Sequence, residues 1–245
     1  VFPPYLTFVL IAFVVATVGA MRAGERAGFD RARIMDLALL VLVLGVLGAR
    51  LLAVATDGKL QDFIHLCTDP ERVRPGAERD CLAVLKFWQG GLTFYGGLLL
   101  AIPGALWYCR RRRFDFLQVA DLLAPFLLLG QGIGRIGCYL DGCCYGAVTS
   151  GPFAPRHPTQ LYEMVIDLAL AALLWFVLRR RLAAARGALF GWMLVLYGSA
   201  RAALELVRAD QRGGLGPLST SQIIAIPAVA AGIWLIARAR RTIDS

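Results

Sequence analysis

Residues 34–55 read IMDLALLVLVLGVLGARLLAVA, an apolar run interrupted only by Asp36 and Arg50. At ~1.5 Å per residue, a helix of this length covers the ~30 Å hydrocarbon core of a bilayer. Six other stretches read the same way: Tyr5–Met21, Leu92–Tyr108, Leu117–Leu140, Gln160–Leu178, Ala188–Leu206 and Ile223–Ile236. Helices are the expected form, because lipid cannot satisfy backbone amides and the alternation of a membrane barrel is absent. Composition agrees. Of 245 residues, 58% are hydrophobic and 18% charged, and mean hydropathy is +0.63. These values exclude a disordered chain, a collagen-like chain and a disulfide-stapled mini-domain, and argue against a soluble enzyme. The expectation is an all-α polytopic membrane protein of about seven transmembrane helices, a single integral-membrane domain over residues 1–245.

The net charge of +9 comes from 26 Lys+Arg against 17 Asp+Glu. The arginines cluster in Arg22–Arg33, Arg110–Arg113, Arg179–Arg186 and Arg238–Arg241, all on one side of a seven-span chain. A basic balance of this kind belongs to cytoplasmic loops rather than to nucleic-acid binding. It predicts a periplasmic N-terminus and a cytoplasmic C-terminus. The chain begins with Val1, read as an alternative start or a missing lead-in, and no cleavable signal peptide is expected.

Charges within the spans need partners or a function, since each costs at least ~2.5–3.5 kcal/mol to insert. Arg201 and Glu205 stand four apart and share a helix face, so they either lock the bundle or line a polar cavity. By topology Arg135, Arg201, Glu205 and the helix start near Glu163 fall at similar depth. Arginine suits a phosphate diester because its planar fork bonds two oxygens and stays charged. Converging arginines therefore predict a central cavity that binds a phospholipid headgroup.

Three segments are unusual. Gly130–Gly146 reads GQGIGRIGCYLDGCCYG. Its GxGxxG start lacks the strand–helix context of a dinucleotide site. Gly130 and Gly134 suit close helix packing, and Asp141–Gly146 is expected to be a re-entrant turn lining a cavity. Gly90–Gly97 reads GGLTFYGG, with glycines that either admit a ligand to the backbone or form a helix-entry loop. His157–Glu163 reads HPTQLYE, in which Thr159 suits a helix cap and Glu163 its first turn. The two histidines, His65 and His157, exclude a multi-histidine metal site. Cys67 and Cys81 are expected to face an oxidising periplasm, where a disulfide is open to them. Cys138, Cys143 and Cys144 are either small packing residues or a redox or metal cluster with His157. Cys109 borders Arg110–Arg113, where reversible acylation is conceivable.

Taken together, the segments resemble the prolipoprotein diacylglyceryl transferase family. Its GRIGNFxNGExxG-like stretch stands here as GRIGCYLDGCCYG, its HPSQLYE-like stretch as HPTQLYE, and its GGxSFHGG-like stretch as GGLTFYGG. Its YGxxRFxxE stretch is YGSARAALE (Tyr197–Glu205), and Ser221–Pro227 is similar to its late GQxLSxP stretch. The resemblance implies a seven-span bacterial inner-membrane enzyme. It would move the diacylglyceryl group of phosphatidylglycerol to the lipobox cysteine of a preprolipoprotein, forming a thioether and releasing glycerol-1-phosphate. Neither a metal nor an organic cofactor, and no nucleic acid, is expected. The family's essential arginines match Arg135 and Arg201, and the acidic partner of the second matches Glu205. These three and Tyr95 are the expected catalytic residues. Tyr5, Gly96, Gly97, Cys138, Asp141, Gly142, Gly146, His157, Gln160, Tyr162 and Glu163 are expected to bind substrate.

Four positions depart from the family pattern: Tyr95 replaces a His, Cys138 and Asp141 replace Asn, and Cys143 replaces Glu. Tyr95 or Asp141 would then receive the thiol proton. The departures leave open a paralogue that serves another acceptor, or one that only binds or transports lipid.

Overall fold

A computed structural model describes residues 4–56, 93–150, 155–208, 214–215 and 218–244. The pair Cys67 and Cys81, together with His65, Gly90 and Gly91, lies outside the described residues. Seven long helices are found among the described ones: α1 (Pro4–Arg26), α2 (Arg31–Thr56), α3 (Phe94–Arg112), α4 (Phe116–Leu140), α5 (Thr159–Arg181), α6 (Ala188–Leu204) and α7 (Thr220–Asp244). Six are long and apolar enough to cross a membrane; α3 has 19 residues and ends on Arg110, Arg111 and Arg112. Among the described residues, each expected apolar stretch thus falls largely on a helix.

Burial is inverted relative to a water-soluble protein. Leu10, Val14, Leu51, Leu99, Val165, Phe176, Ile226 and Trp234 are exposed. Thr159, Gln160, Glu163 and Asp167 are buried, at 0–1% exposure. In water, large aliphatic side chains go inside and carboxylates stay outside. Lipid reverses both preferences, so this is a polytopic membrane protein.

The chain divides into two compact units. One contains α2 and α3, which run antiparallel at very close range. A Cβ on Gly96 would strike the carbonyl of Gly48, and one on Gly97 would lie 3.0 Å from the Gly45 oxygen. The Thr93 amide donates to the Ala49 carbonyl at 3.0 Å, tying the start of α3 to α2. Near the other end the Tyr108 hydroxyl donates to the Arg33 carbonyl at 3.0 Å. Small residues that let backbones approach are the usual device for helix association in lipid, where no hydrophobic force draws helices together.

The other unit contains α1 and α4–α7. Helix α1 runs antiparallel along α4, with Gly19 against Phe126, Ala16 against Gly130, and Phe8 and Tyr5 against Gly137. Gly134 meets nothing within 4 Å, so only Gly130 of the expected small-residue pair contributes to packing. Ala124 and Leu128 of α4, Ala171 and Leu174 of α5, and Leu189 and Met193 of α6 form the apolar core. Helices α6 and α7 pack antiparallel through Gly191 against Gly232 and Gly198 against Val229. A short hairpin pairs β1 (Gly214–Leu215) with β2 (Leu218–Ser219) before α7. Ser219 and Gln222 then form a reciprocal capping box: the Ser219 amide donates to Gln222 Oε1 at 3.1 Å, and the Gln222 amide to Ser219 Oγ at 3.3 Å.

Asp121 of α4 clasps the start of α6. Its two oxygens accept the Gly187 amide at 2.6 Å and the Phe190 amide at 2.8 Å. A carboxylate there offsets unpaired amides and the positive end of the helix dipole. Asp121→Ala is expected to cost ~1–2 kcal/mol, read as a lower melting temperature in detergent. An unchanged melt would refute the clasp.

Candidate active site

Helix α4 ends in a Schellman motif. The Cys143 amide donates to the Cys138 carbonyl at 3.1 Å and the Gly142 amide to the Tyr139 carbonyl at 3.2 Å. Gly142 supplies the left-handed turn residue (φ +70°). Gly142, expected to bind substrate, thus also ends the helix. The chain beyond is not loose. The Gly146 amide donates to His157 O (2.8 Å), Ala147 to Val207 O (2.9 Å) and His157 to Ala147 O (3.0 Å). Gly146 is needed because a Cβ would lie 2.5 Å from Val207 O, 2.7 Å from Thr159 and 2.9 Å from His157. This ribbon locks the start of α5 against the end of α6.

Thr159 does not cap α5. Pro158 stands at the cap, and Thr159 Oγ1 donates to the Cys144 carbonyl at 2.7 Å. The Gln160 amide donates to the Cys143 carbonyl. His157 Nδ1 and the Tyr162 hydroxyl are 3.2 Å apart, so this pair braces the α5 entry.

These supports place Glu163 at the centre of the charged cluster. Its carboxylate meets Arg135 Nε at 2.9 Å, Arg201 Nε at 3.4 Å and Arg208 Nη1 at 3.3 Å. The first arginine comes from α4, the second from α6 and the third from just past the 3-10 turn Glu205–Val207. Glu163 is thus no simple first-turn residue. Three guanidinium groups would repel one another at this range without it.

Arg201 is held on every side: Nε by Glu163, Nη1 by Glu205 Oε2 at 2.8 Å, and Nη2 by Ser221 Oγ at 3.0 Å, from α7. Arg135 is held differently. Its Nε faces Glu163, while Nη1 and Nη2 make no ion pair among the described residues, and its side chain is 18% exposed. One guanidinium is fully committed to the protein, and the other presents its fork. One turn along α5 from Glu163, Asp167 is fully buried over Gly132. Its electrostatic neighbours are Glu163, Arg135 and Arg201. Beside it the Gln131 amide donates to the Tyr197 hydroxyl.

The structure therefore brings together Arg135, Gln160, Glu163, Arg201 and Glu205. Tyr5 sits beside them: its backbone packs on Gly137, and its hydroxyl feels the charge of Arg135 and the thiol of Cys138. Cys138 is buried, and Asp141 is exposed at the end of α4. Tyr95 lies in the α2–α3 unit, edge-on to Phe94 with ring centroids 5.9 Å apart. The two glycines after it let α2 approach closely. Gly96 and Gly97, expected to bind substrate, pack against the α2 backbone at Gly48 and Gly45. Cys109 is 1% exposed, so burial removes it from acylation.

Arg208, Asp167 and Ser221 were not singled out from the sequence. Arg208 extends the Arg201–Glu205 stripe to i+7, and Asp167 repeats Glu163 at i+4 within an apolar run. Both spacings mark one helix face. Ser221 carries no comparable signal.

The family model described as prolipoprotein diacylglyceryl transferase matches residues 4–238. Three relatives bear the name phosphatidylglycerol–prolipoprotein diacylglyceryl transferase. The Clostridium tetani protein is 31% identical over 94% of this chain and 90% of its own length. The Vibrio vulnificus protein is 34% identical over 95% and 84%, and the Vibrio cholerae protein 35% identical over 95% and 83%. With the motifs and nearly the whole length matched, this chain belongs to the prolipoprotein diacylglyceryl transferase family.

Proposed function

We propose that this chain transfers the diacylglyceryl group of phosphatidylglycerol to the lipobox cysteine of a preprolipoprotein signal peptide. The setting is a bacterial inner membrane, with the N-terminus periplasmic and the C-terminus cytoplasmic. The observation that carries this reading is the gathering of Arg135, Arg201 and Arg208 on buried Glu163. The α5 and α7 ends remote from this cluster carry Arg179–Arg181 and Arg238–Arg241. The positive-inside rule puts those ends in the cytoplasm and the cluster toward the periplasm.

Arg135 offers the lipid phosphate its two free guanidinium nitrogens. Arg201, fixed by Glu163, Glu205 and Ser221, adds positive field more than new bonds. As the thiol sulfur attacks the glyceryl carbon, the S–C bond forms and the C–O bond to phosphate breaks. Negative charge grows on the departing glycerol phosphate, and the proton lost by the thiol balances it. Fixed positive charge in a dry site favours this step and does not have to reorganise as it happens. The same field draws the thiol, with a reference pKa of ~8.5, toward its nucleophilic thiolate form. Tyr5, Gln160 and Glu163 border the place where the headgroup would lie.

Expression in a strain conditionally depleted of its own diacylglyceryl transferase tests the reading. Rescue of growth with lipidated lipoproteins is expected. Membrane insertion without rescue would contradict it and favour a lipid-binding protein.

A further inference from the structure

The transfer proposed above uses neither the Cys143 nor the Cys144 thiol, yet both residues sit against its supports. Their sulfurs are 3.3 Å apart, and both residues are half-buried rather than sealed. Cys144 has φ +67°, a left-handed conformation that non-glycine residues rarely hold. The carbonyl of Cys143 accepts the Gln160 amide, and the carbonyl of Cys144 accepts Thr159 Oγ1. Gln160 and Thr159 are 0% exposed and stand one turn before Glu163 on α5.

We propose that Cys143 and Cys144 form a reversible thiol–disulfide site, oxidised by small disulfides, whose closure loosens the seat of Glu163. The chemistry balances. The Cys143 thiolate attacks a small disulfide and releases one small thiol. The Cys144 thiolate then attacks the Cys143 sulfur and expels the second. Two protons and two electrons pass from the cysteines to the reagent, which leaves as two thiols. Closure brings the sulfurs from 3.3 Å to ~2.05 Å. Adjacent Cα atoms lie ~3.8 Å apart, shorter than the ~4.4–6.8 Å span of ordinary disulfides, so the linking peptide must distort. The two carbonyls on that stretch are the ones bonded by Gln160 and Thr159, and those buried side chains have no room to follow. A bond made under such strain is easily reduced, which makes the site reversible.

Burial, then the neighbouring Cys144 thiol, push the Cys143 thiol up. Cys138 at the end of α4 and Asp141 are the other groups that act on it. Oxidation is accordingly slow at neutral pH and speeds as pH rises, because the attacking species is the thiolate.

The test treats the purified full chain in detergent with oxidised glutathione, followed by non-reducing peptide mass mapping. The peptide carrying both cysteines is expected to lose two hydrogens, retain no glutathione and regain its mass with dithiothreitol. The effect on activity rests on the transferase reading; the mass result does not. Transfer to a lipobox peptide is expected to fall at least tenfold on oxidation, by ~1.4 kcal/mol or more, and to recover on reduction. Cys144→Ser should transfer normally, resist the oxidant and carry a stable glutathione on Cys143. Should that variant not fold, Cys143→Ala gives the same comparison from the other side. Two free thiols after treatment, a stable mixed disulfide on the unaltered chain, or a bond to Cys138 would overturn the site. An oxidised form as active as the reduced one would overturn its coupling to Glu163. A chain inactive even when reduced would count against the transferase reading and leave the mass result to decide the disulfide.

Discussion

Glu163→Gln is expected to lower diacylglyceryl transfer by two orders of magnitude or more. The substitution keeps the shape of the side chain and removes its charge. Arg135, Arg201 and Arg208 all lean on that charge, at 2.9, 3.4 and 3.3 Å. Removing one member of a buried ion network typically costs ~3–5 kcal/mol, because the remaining charges stay buried and uncompensated. Here the remainder is three like charges, so the arginines should splay and the phosphate seat should be lost. Arg201 retains Glu205 and Ser221, and the ribbon around Gly146 retains its backbone bonds. The chain should therefore still insert and remain helical, with a lower melting temperature. The assay is transfer to a lipobox peptide from phosphatidylglycerol vesicles, together with a thermal melt in detergent. Near-normal transfer by Glu163→Gln would remove Glu163 from the centre of the site.

Arg135→Lys should be almost as damaging, for a different reason. Lysine preserves the positive charge but replaces a planar fork with a point charge. If Arg135 served only to neutralise Glu163, lysine would serve nearly as well. If its two free nitrogens bind the lipid phosphate, the paired bonds are lost and the ammonium turns to Glu163 instead. A charge-assisted hydrogen bond contributes ~1.5–3 kcal/mol, so a fall of ~10–100-fold in transfer is expected, with little change in melting temperature. Equal effects on transfer and stability would point to a structural role.

Much of this was legible in the sequence, and the parts that were not share a cause. Apolar run length alone marks the helices, because lipid permits few other forms of backbone. Arg201 and Glu205 were visible as charges in an apolar run, and the structure pairs them at 2.8 Å. Glu163 is legible as a substrate-binding residue of the HPTQLYE stretch, but its place at the centre of the arginines is not, because a glutamate early in a helix has a sufficient local explanation. Only the fold reveals that α4 and α6 aim arginines at it. The packing role of Gly96 and Gly97 is not legible for a different reason. Absence of a side chain serves a ligand or a helix equally well, and the partner, Gly48, is far away in sequence. Asp121 shows the same limit: its role depends on the amides of Gly187 and Phe190, supplied by a distant helix start.

In the proposed reaction the arginine–glutamate cluster drives transfer of a lipid group to a thiol. This role is tested most directly with purified protein, phosphatidylglycerol vesicles and a lipobox peptide, comparing the unaltered chain with Arg201→Ala. The unaltered chain should add one diacylglyceryl mass to the peptide cysteine and release an equal amount of glycerol phosphate, while Arg201→Ala does almost neither. Turnover by Arg201→Ala at the unaltered rate, or no thioether from the unaltered chain, would contradict the account.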